Sequence, residues 1–398
     1  MRKNLLMTAA AIAALLTGCS TDEEIANIET SAKNAIGFNI VSNKAETKAT
    51  PIGPDNLTTT DFDVFAFNST TGDLFMGTHQ TDFGHDGVDI HYDGSNWNYK
   101  NPDDLAYWPS DGSKLSFYAI SPATVENEYD KINFSWYIHG PQAPEGNKIH
   151  CSLVNEYGRA DGAKNYDLMY ATAFDYDKNT NNTKVKLTFK HTLSQVIFKG
   201  QTSNASLNAD IQSITMMNIK FSGNFSIPTE LQTENSNYAR DPKASDWNLN
   251  DSWSPFAAKL IANNIKIDNT KAKDLSKTDE PILVIPQVLT PWSTTPTSAV
   301  TTDNANNNHQ SYLEISMKLT QNGQYVIGSA SEYKTIYVPF NNGTEGWEPG
   351  KRYIYTLTFG GGYDKDGNLI LAPITFEPTV EDWKDASEYT PDVPAYTN

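Results

Sequence analysis

The chain has 398 residues, with 30 Lys and Arg against 48 Asp and Glu, for a net charge of −18. That balance excludes the broad basic footprint of nucleic-acid binding, and with it extensive contact with anionic lipid. Cys19 and Cys151 are the two cysteines, so once Cys19 is modified no intrachain disulfide is left and stability must come from buried area.

The N-terminus reads as a lipoprotein signal peptide over residues 1–18. Arg2 and Lys3 form a positive n-region, and Leu5 to Leu16 is an apolar run broken by Thr8. The run is too short for a stable membrane span. It ends in Leu16-Thr17-Gly18-Cys19, the shape of a lipobox, so Cys19 is the expected lipidation site. Acyl chains there would hold the mature protein to the outer membrane, facing the cell surface. Residues 19–35 are read as an acidic tether. Its Ser20-Thr21-Asp22-Glu23-Glu24 start resembles the surface-export signal of Bacteroidetes lipoproteins, and a plain flexible tether explains it equally well.

The rest predicts an all-β fold with little helix. Short alternating runs rich in Phe, Tyr, Thr and β-branched residues are broken by Gly, Pro, Asn and Asp. In chain order the clearest are 36–40, 62–67, 114–120, 185–189, 214–221, 312–319, 334–338 and 353–359. The polar run Asp177 to Asn182 reads as a linker or hairpin tip. It divides the chain into an N-terminal β-sandwich domain over 36–183 and a C-terminal one over 184–398, which ends in an extended Pro-rich tail. Thr294 to Gln310, rich in Thr and Asn, is expected to be a mobile loop.

Catalytic signals are weak. No nucleophile elbow, phosphate-binding loop or dinucleotide fingerprint occurs, so neither catalysis nor a cofactor is expected. His79, His85 and His91 are good metal-ligand types among several Asp, but their spacing matches no familiar metal motif. A solvated loop is the preferred reading there. Asp364-Lys365-Asp366-Gly367-Asn368 opens like a Ca²⁺ loop yet lacks the Glu at position twelve, so a hairpin turn is expected. Cys151 reads as a half-buried structural thiol.

Several short motifs stand in a definite order after the lipobox. They are Tyr107-Trp108-Pro109 with Leu115 to Pro122, then Phe189 to Val196, then Ile285-Pro286-Gln287, then Trp347 to Leu357, and finally Val380-Glu381-Asp382-Trp383. Together, over nearly the whole chain, they resemble the fimbrillin family, the FimA/Mfa-like fimbrial subunit lipoproteins of Bacteroidetes. The resemblance implies two tandem transthyretin-like β-sandwich domains. It also implies polymerisation with other fimbrial subunits: a protease removes the N-terminal strand, and a neighbour's C-terminal segment fills the groove.

On these residues the displaced first strand would carry Ile36, Phe38 and Ile40 on one face, and its loss would open a sheet edge for β-augmentation. The donor tail would present Tyr389, Pro391, Val393 and Ala395 at period two, although Pro391 and Pro394 weaken its ladder. A permanent first strand and a frayed tail is the alternative. Well-studied members are cut after Arg, and none lies between Arg2 and Arg159. Lys44 and Lys48 are the candidate processing points. A subunit that keeps its strand would instead be an anchor or cap.

The expected function is a non-catalytic fimbrial subunit acting in adhesion or biofilm formation, with a host or bacterial surface ligand as a further partner. The rival is a glycan-binding surface lipoprotein of a polysaccharide-utilisation system, with Trp97, Trp108, Trp136, Trp247, Trp253 and Trp292 as candidate sugar platforms.

Overall fold

The computed structural model describes residues 35–42, 61–80, 84–93, 96–123, 133–153, 167–179, 184–268, 270–278, 280–293, 301–360, 362–369 and 374–382. Nearly all regular structure among them is β. The first strands are β1 (Gly37–Ser42), β2 (Phe62–Asn68), β3 (Leu74–Met76), β4 (Thr78–Gln80), β5 (Gly84–Asp86), β6 (Val88–Tyr92) and β7 (Trp97–Tyr99). Next come β8 (Leu115–Ser121), β9 (Asn133–Tyr137), β10 (Lys148–Ser152), β11 (Met169–Tyr176), β12 (Lys184–His191) and β13 (Ser194–Thr202). Then follow β14 (Leu207–Lys220), β15 (Ser222–Ser226), β16 (Trp247–Leu249), β17 (Trp253–Ala257), β18 (Ile265–Ile267), β19 (Lys273–Asp274) and β20 (Ile282–Val284). After helix α1 (Thr302–Asn307) come β21 (Tyr312–Gln321), β22 (Gln324–Ile327), β23 (Lys334–Pro339), β24 (Lys351–Phe359) and β25 (Thr375–Asp382).

Alternation in the sequence becomes two buried faces. The largest sheet runs β1-β12-β11-β8-β2-β6-β7, with β3 beside β2. In β2, Phe62, Val64 and Ala66 enter one apolar cluster, while Phe65 and Phe67 enter another. Phe117 and Ala119 of β8 likewise join the first cluster, and Tyr118 and Ile120 the second. The sheet curls until its outermost strands, β1 and β7, come together, and the first cluster fills the inside of the curl. Its other face packs on a four-stranded sheet, β16-β15-β10-β9.

That four-stranded sheet draws β9 and β10 from the first half of the sequence and β15 and β16 from the second. Ile149 pairs with both Trp136 and Phe225, and the rings of Tyr170 and Phe225 lie 5.2 Å apart. One continuous core therefore runs from Phe65 to Ile374. The residue-183 boundary falls between β11 and β12, two neighbours in the same sheet. The change to the next sheet comes at Thr192 and Leu193.

A five-stranded sheet, β19-β13-β24-β25 with β20 beside β13, a six-stranded sheet around β14 and β21, and the two-stranded β4-β5 ribbon complete the sheets among the described residues. Both halves use one device: an opening strand pairs in parallel with a late one, β1 with β12 and β13 with β24. The motif runs 189–196 and 347–352 meet at the seam. Ser194 Oγ donates to Glu348 O at 2.7 Å, Gly350 N to Leu193 O at 2.8 Å, and Arg352 Nε to Gln195 Oε1 at 2.6 Å. Gly350 adopts φ 67° there, a left-handed value that a side chain would strain.

Two expectations are corrected. The segment read as a loop from Thr294 to Gln310 contains α1, whose start is capped by Thr301 Oγ1 accepting from Asn304 N at 3.2 Å; Ser/Thr caps satisfy free helix donors. Cys151 is fully rather than half buried, between Phe134 and Gly223 in the shared sheet. Burial pushes its thiol well above the usual range.

Candidate functional site

The opening strand is the residue set with a functional expectation that the structure describes best. β1 pairs with β12 in parallel from Gly37↔Lys184 to Ser42↔Phe189. Ile36 and Phe38 are 1% and 3% exposed, while Asn39 between Phe38 and Ile40 faces solvent. Ile40 is half-buried against the same cluster. Period-two alternation thus directs the apolar set into the curl, as expected.

Phe38 sits among aromatic rings. Its centroid lies 6.3 Å from Phe62 at 90°, 6.3 Å from Phe117 at 81° and 6.1 Å from Tyr99. Edge-to-face pairs of this kind add roughly 0.5–1.5 kcal/mol to area burial. Burying Ile36 and Phe38 stabilises the closed form by about 1.5–3 kcal/mol each. Phe62 also packs on Trp97 and Phe189 at 5.1 and 5.2 Å, so the inside of the curl is an aromatic chamber with β1 as its last wall.

β1 is held on two unlike sides. Toward β12 it has a backbone ladder. Toward β7 the tie is a side chain: Tyr99 Oη donates to Ile36 O at 3.0 Å. Burial raises the Tyr99 pKa well above the usual phenol range, against a backbone hydrogen bond at Ala106, so the hydroxyl remains a donor. Ile36 N donates to Ala106 O at 2.9 Å. Leaving the sheet therefore breaks one ladder and a few loop bonds, whereas a central strand would have to break two.

The other chain end offers an open edge. β25 pairs with β24 and has no partner strand on its far side among the described residues. Phe376 packs on Phe340 and Tyr355, but Pro378, Thr379 and Val380 are exposed. Pro378 removes a ladder donor, a common feature of edge strands. Cys19, Lys44, Lys48 and the tail residues Tyr389, Pro391, Val393 and Ala395 lie outside the described residues.

His79 and His85 are backbone register partners in the β4–β5 ribbon, while His91 pairs with Asn98 in the curled sheet. No group of three His, Cys, Asp or Glu able to hold a metal occurs among the described residues. Asp364 to Asn368 forms the expected turn, with Asp364 Oδ1 accepting from Asp366 N and Asn368 N. Trp108, Trp136, Trp247 and Trp292 are buried, and Trp97 and Trp253 half-buried. Sequence reasoning missed Tyr99 and the β1–β7 closure. The alternation Trp97-Asn98-Tyr99 was a signal for a strand but not for its neighbour.

Residues 47–383 match the family described as fimbrillin-like. This chain belongs to the fimbrillin-like family. No curated protein matches it. The fold is shared with a fimbrial protein from Bacteroides vulgatus ATCC 8482, at TM-score 0.54 and 15% identity over 88% of this chain and 100% of that one. The tip fimbrial protein Mfa3 from Porphyromonas gingivalis, C-terminally truncated, aligns at TM-score 0.38 and 9% identity, over 81% and 94% of the two chains. The fimbrial anchor protein Mfa2 from the same organism aligns at TM-score 0.34 and 9% identity, over 89% and 99%. The family assigns this fimbrillin-like protein a structural role in a cell-surface fimbrium. No helix among the described residues is long and apolar enough to cross a membrane.

Proposed function

We propose that this fimbrillin-like protein is exported as a lipoprotein acylated on Cys19 and joins the fimbrium by strand exchange. Proteolysis after Lys44 or Lys48 frees β1, and a neighbour's C-terminal segment takes its place against β12. The observation that carries the reading is Phe38: a single edge strand, held by one ladder, plugs an aromatic chamber. Once β1 leaves, the chamber walls Phe62, Tyr99 and Phe117 face water beside an open ladder edge of β12. An extended apolar segment answers both needs at once. In the tail, Tyr389, Pro391, Val393 and Ala395 present one face at period two for that purpose.

The resulting joint combines apolar burial with a row of main-chain hydrogen bonds, which favours slow dissociation. Subunits joined this way, anchored to the outer membrane through lipid, serve adhesion and biofilm formation without catalysis. The test is to treat the purified chain with a Lys-specific protease and follow it by gel electrophoresis in mild detergent. A ladder of multimers, with new N-termini at Ala45 or Ala49, is expected. Monomers alone after complete cleavage there would overturn strand exchange, and an unmodified Cys19 on cell-derived protein would overturn the lipid anchor.

A further inference from the structure

A cleft of about 540 Å³ opens where the shared four-stranded sheet meets the six-stranded one. Its wall is built by an irregularity in β14. The register with β17 shifts between Met216 and Ile219, and Asn218 adopts φ 60°, a left-handed value that Asn tolerates better than most residues. Such bulges re-aim side chains. Here the bulge lets Asn218 Nδ2 donate to Gln310 O at 2.7 Å and Asn306 Oδ1 at 3.0 Å, fastening the end of α1 over the cleft.

The same bulge sets Lys220 opposite Trp253. The Lys220 ammonium lies 5.1 Å from the indole centroid and 2.9 Å from Asp251 Oδ1. His309, itself at φ 52°, lays its imidazole parallel to the indole, 2° off and 3.6 Å between centroids. Gln287 frames the floor, accepting from Lys220 N at 3.0 Å and donating to Lys220 O at 2.8 Å. Val288 stands at the rim, 60% exposed.

We propose that this cleft binds a neutral saccharide, and that the fimbrial subunit carries its own glycan contact. The chemistry selects the class. Lys220 is neutralised by Asp251, so the cleft offers little net charge for a phosphate or carboxylate. Flat rings and carboxamides line an open, shallow space with no deep apolar chamber for a lipid tail. A pyranose matches both features, its C–H face on the exposed outer face of His309, which Trp253 backs, and its hydroxyls on the Lys220 ammonium and the exposed Asn308 amide. Trp247 and Trp253, two of the six tryptophans singled out as sugar platforms, line this one cleft. Its lining belongs to neither β1, β12 nor β25, so the site stands or falls independently of strand exchange.

The test is native affinity electrophoresis of the full-length chain in gels containing xylan, glucomannan, amylopectin or desialylated gastric mucin. At least one gel should retard the protein, and Trp253→Ala should weaken that binding at least tenfold. His309→Ala removes an exposed ring without touching a strand pair, so it tests the cleft where Trp253→Ala fails to fold; it should weaken binding at least threefold. Unretarded migration in all four gels, or wild-type retardation of the folded His309→Ala protein, overturns the proposal.

Discussion

Tyr99 donates its hydroxyl hydrogen to the carbonyl oxygen of Ile36 across 3.0 Å, so the last strand of the curled sheet latches the first. On this side β1 has no ladder partner among the described residues. The latch is a single side-chain bond at a place where a closed barrel would have a full ladder.

Truncating the plug tests that arrangement. Phe38→Ala should destabilise the chain by about 3–5 kcal/mol, because its neighbours are fixed strands that cannot collapse into the space. Tyr99→Phe keeps the ring and loses only the latch, so about 0.5–1.5 kcal/mol is expected. Denaturant titration of the intact chain reads both. If the two variants lose equal stability, Phe38 is not the principal plug.

A second prediction concerns the seam between the halves. Arg352 is buried, and its Nε donates to Gln195 Oε1 at 2.6 Å beside the parallel β13–β24 ladder. Arg352→Met should cost about 1.5–3 kcal/mol, the range for a hydrogen bond to a charged group whose partner is left buried. Thermal unfolding should show it as one cooperative shift, since a single core runs through both halves. Two separated transitions would contradict that continuity.

Cys151 gives a chemical readout of the shared sheet. Burial holds its thiol protonated well above neutral pH, and thiolate is the reactive form. A Cys19→Ser protein, whose one remaining thiol is Cys151, should therefore be inert at pH 8 to a thiol-specific aromatic disulfide reagent, and should react fully once unfolded. Fast labelling of the native chain would mean that β9 and β10 detach from β15.

Acid stability should carry the signature of Glu280. Hydrogen bonds from Lys259 and Lys277 hold its carboxyl down, to about 2 from 4.5. A lowered folded-state pKa contributes stability that is complete above the unfolded value, near 4.5, and is lost as the pH falls toward 2. The cluster is open to solvent, so its contribution stays within about 1 kcal/mol. Glu280→Gln should flatten the stability–pH curve between pH 4.5 and 2 and leave it unchanged in shape above pH 5. An unaltered acid limb would show the pairs to be fully screened.

Much of this was legible in the residues alone. The runs at 36–40, 62–67, 114–120 and 353–359 each became a strand close to the expected bounds, and Phe38 points inward as its alternation requires. Asp364 to Asn368 turned as its Gly and Asn predicted. Such features are local: side chains two apart share a face of any strand, and turn residues act within a few positions. The motif order from Tyr107 to Trp383 was enough to point to the family.

Partnership was not legible. Nothing in Phe38 itself says that it will lie beside Val185 in parallel, or that Phe62 and Phe117 will close around it. Nothing in Ile149 says that it will bridge Trp136 and Phe225, so a cut at residue 183 looked natural although hydrogen bonds run across it. The Trp253–His309 stack likewise exists only because a bulge at Asn218 and the end of α1 arrive at one place. Alternation decides which way a side chain faces but is the same for every neighbour a strand could have. The choice among neighbours is made by how well whole layers fill space together, and that is a property of the assembled core.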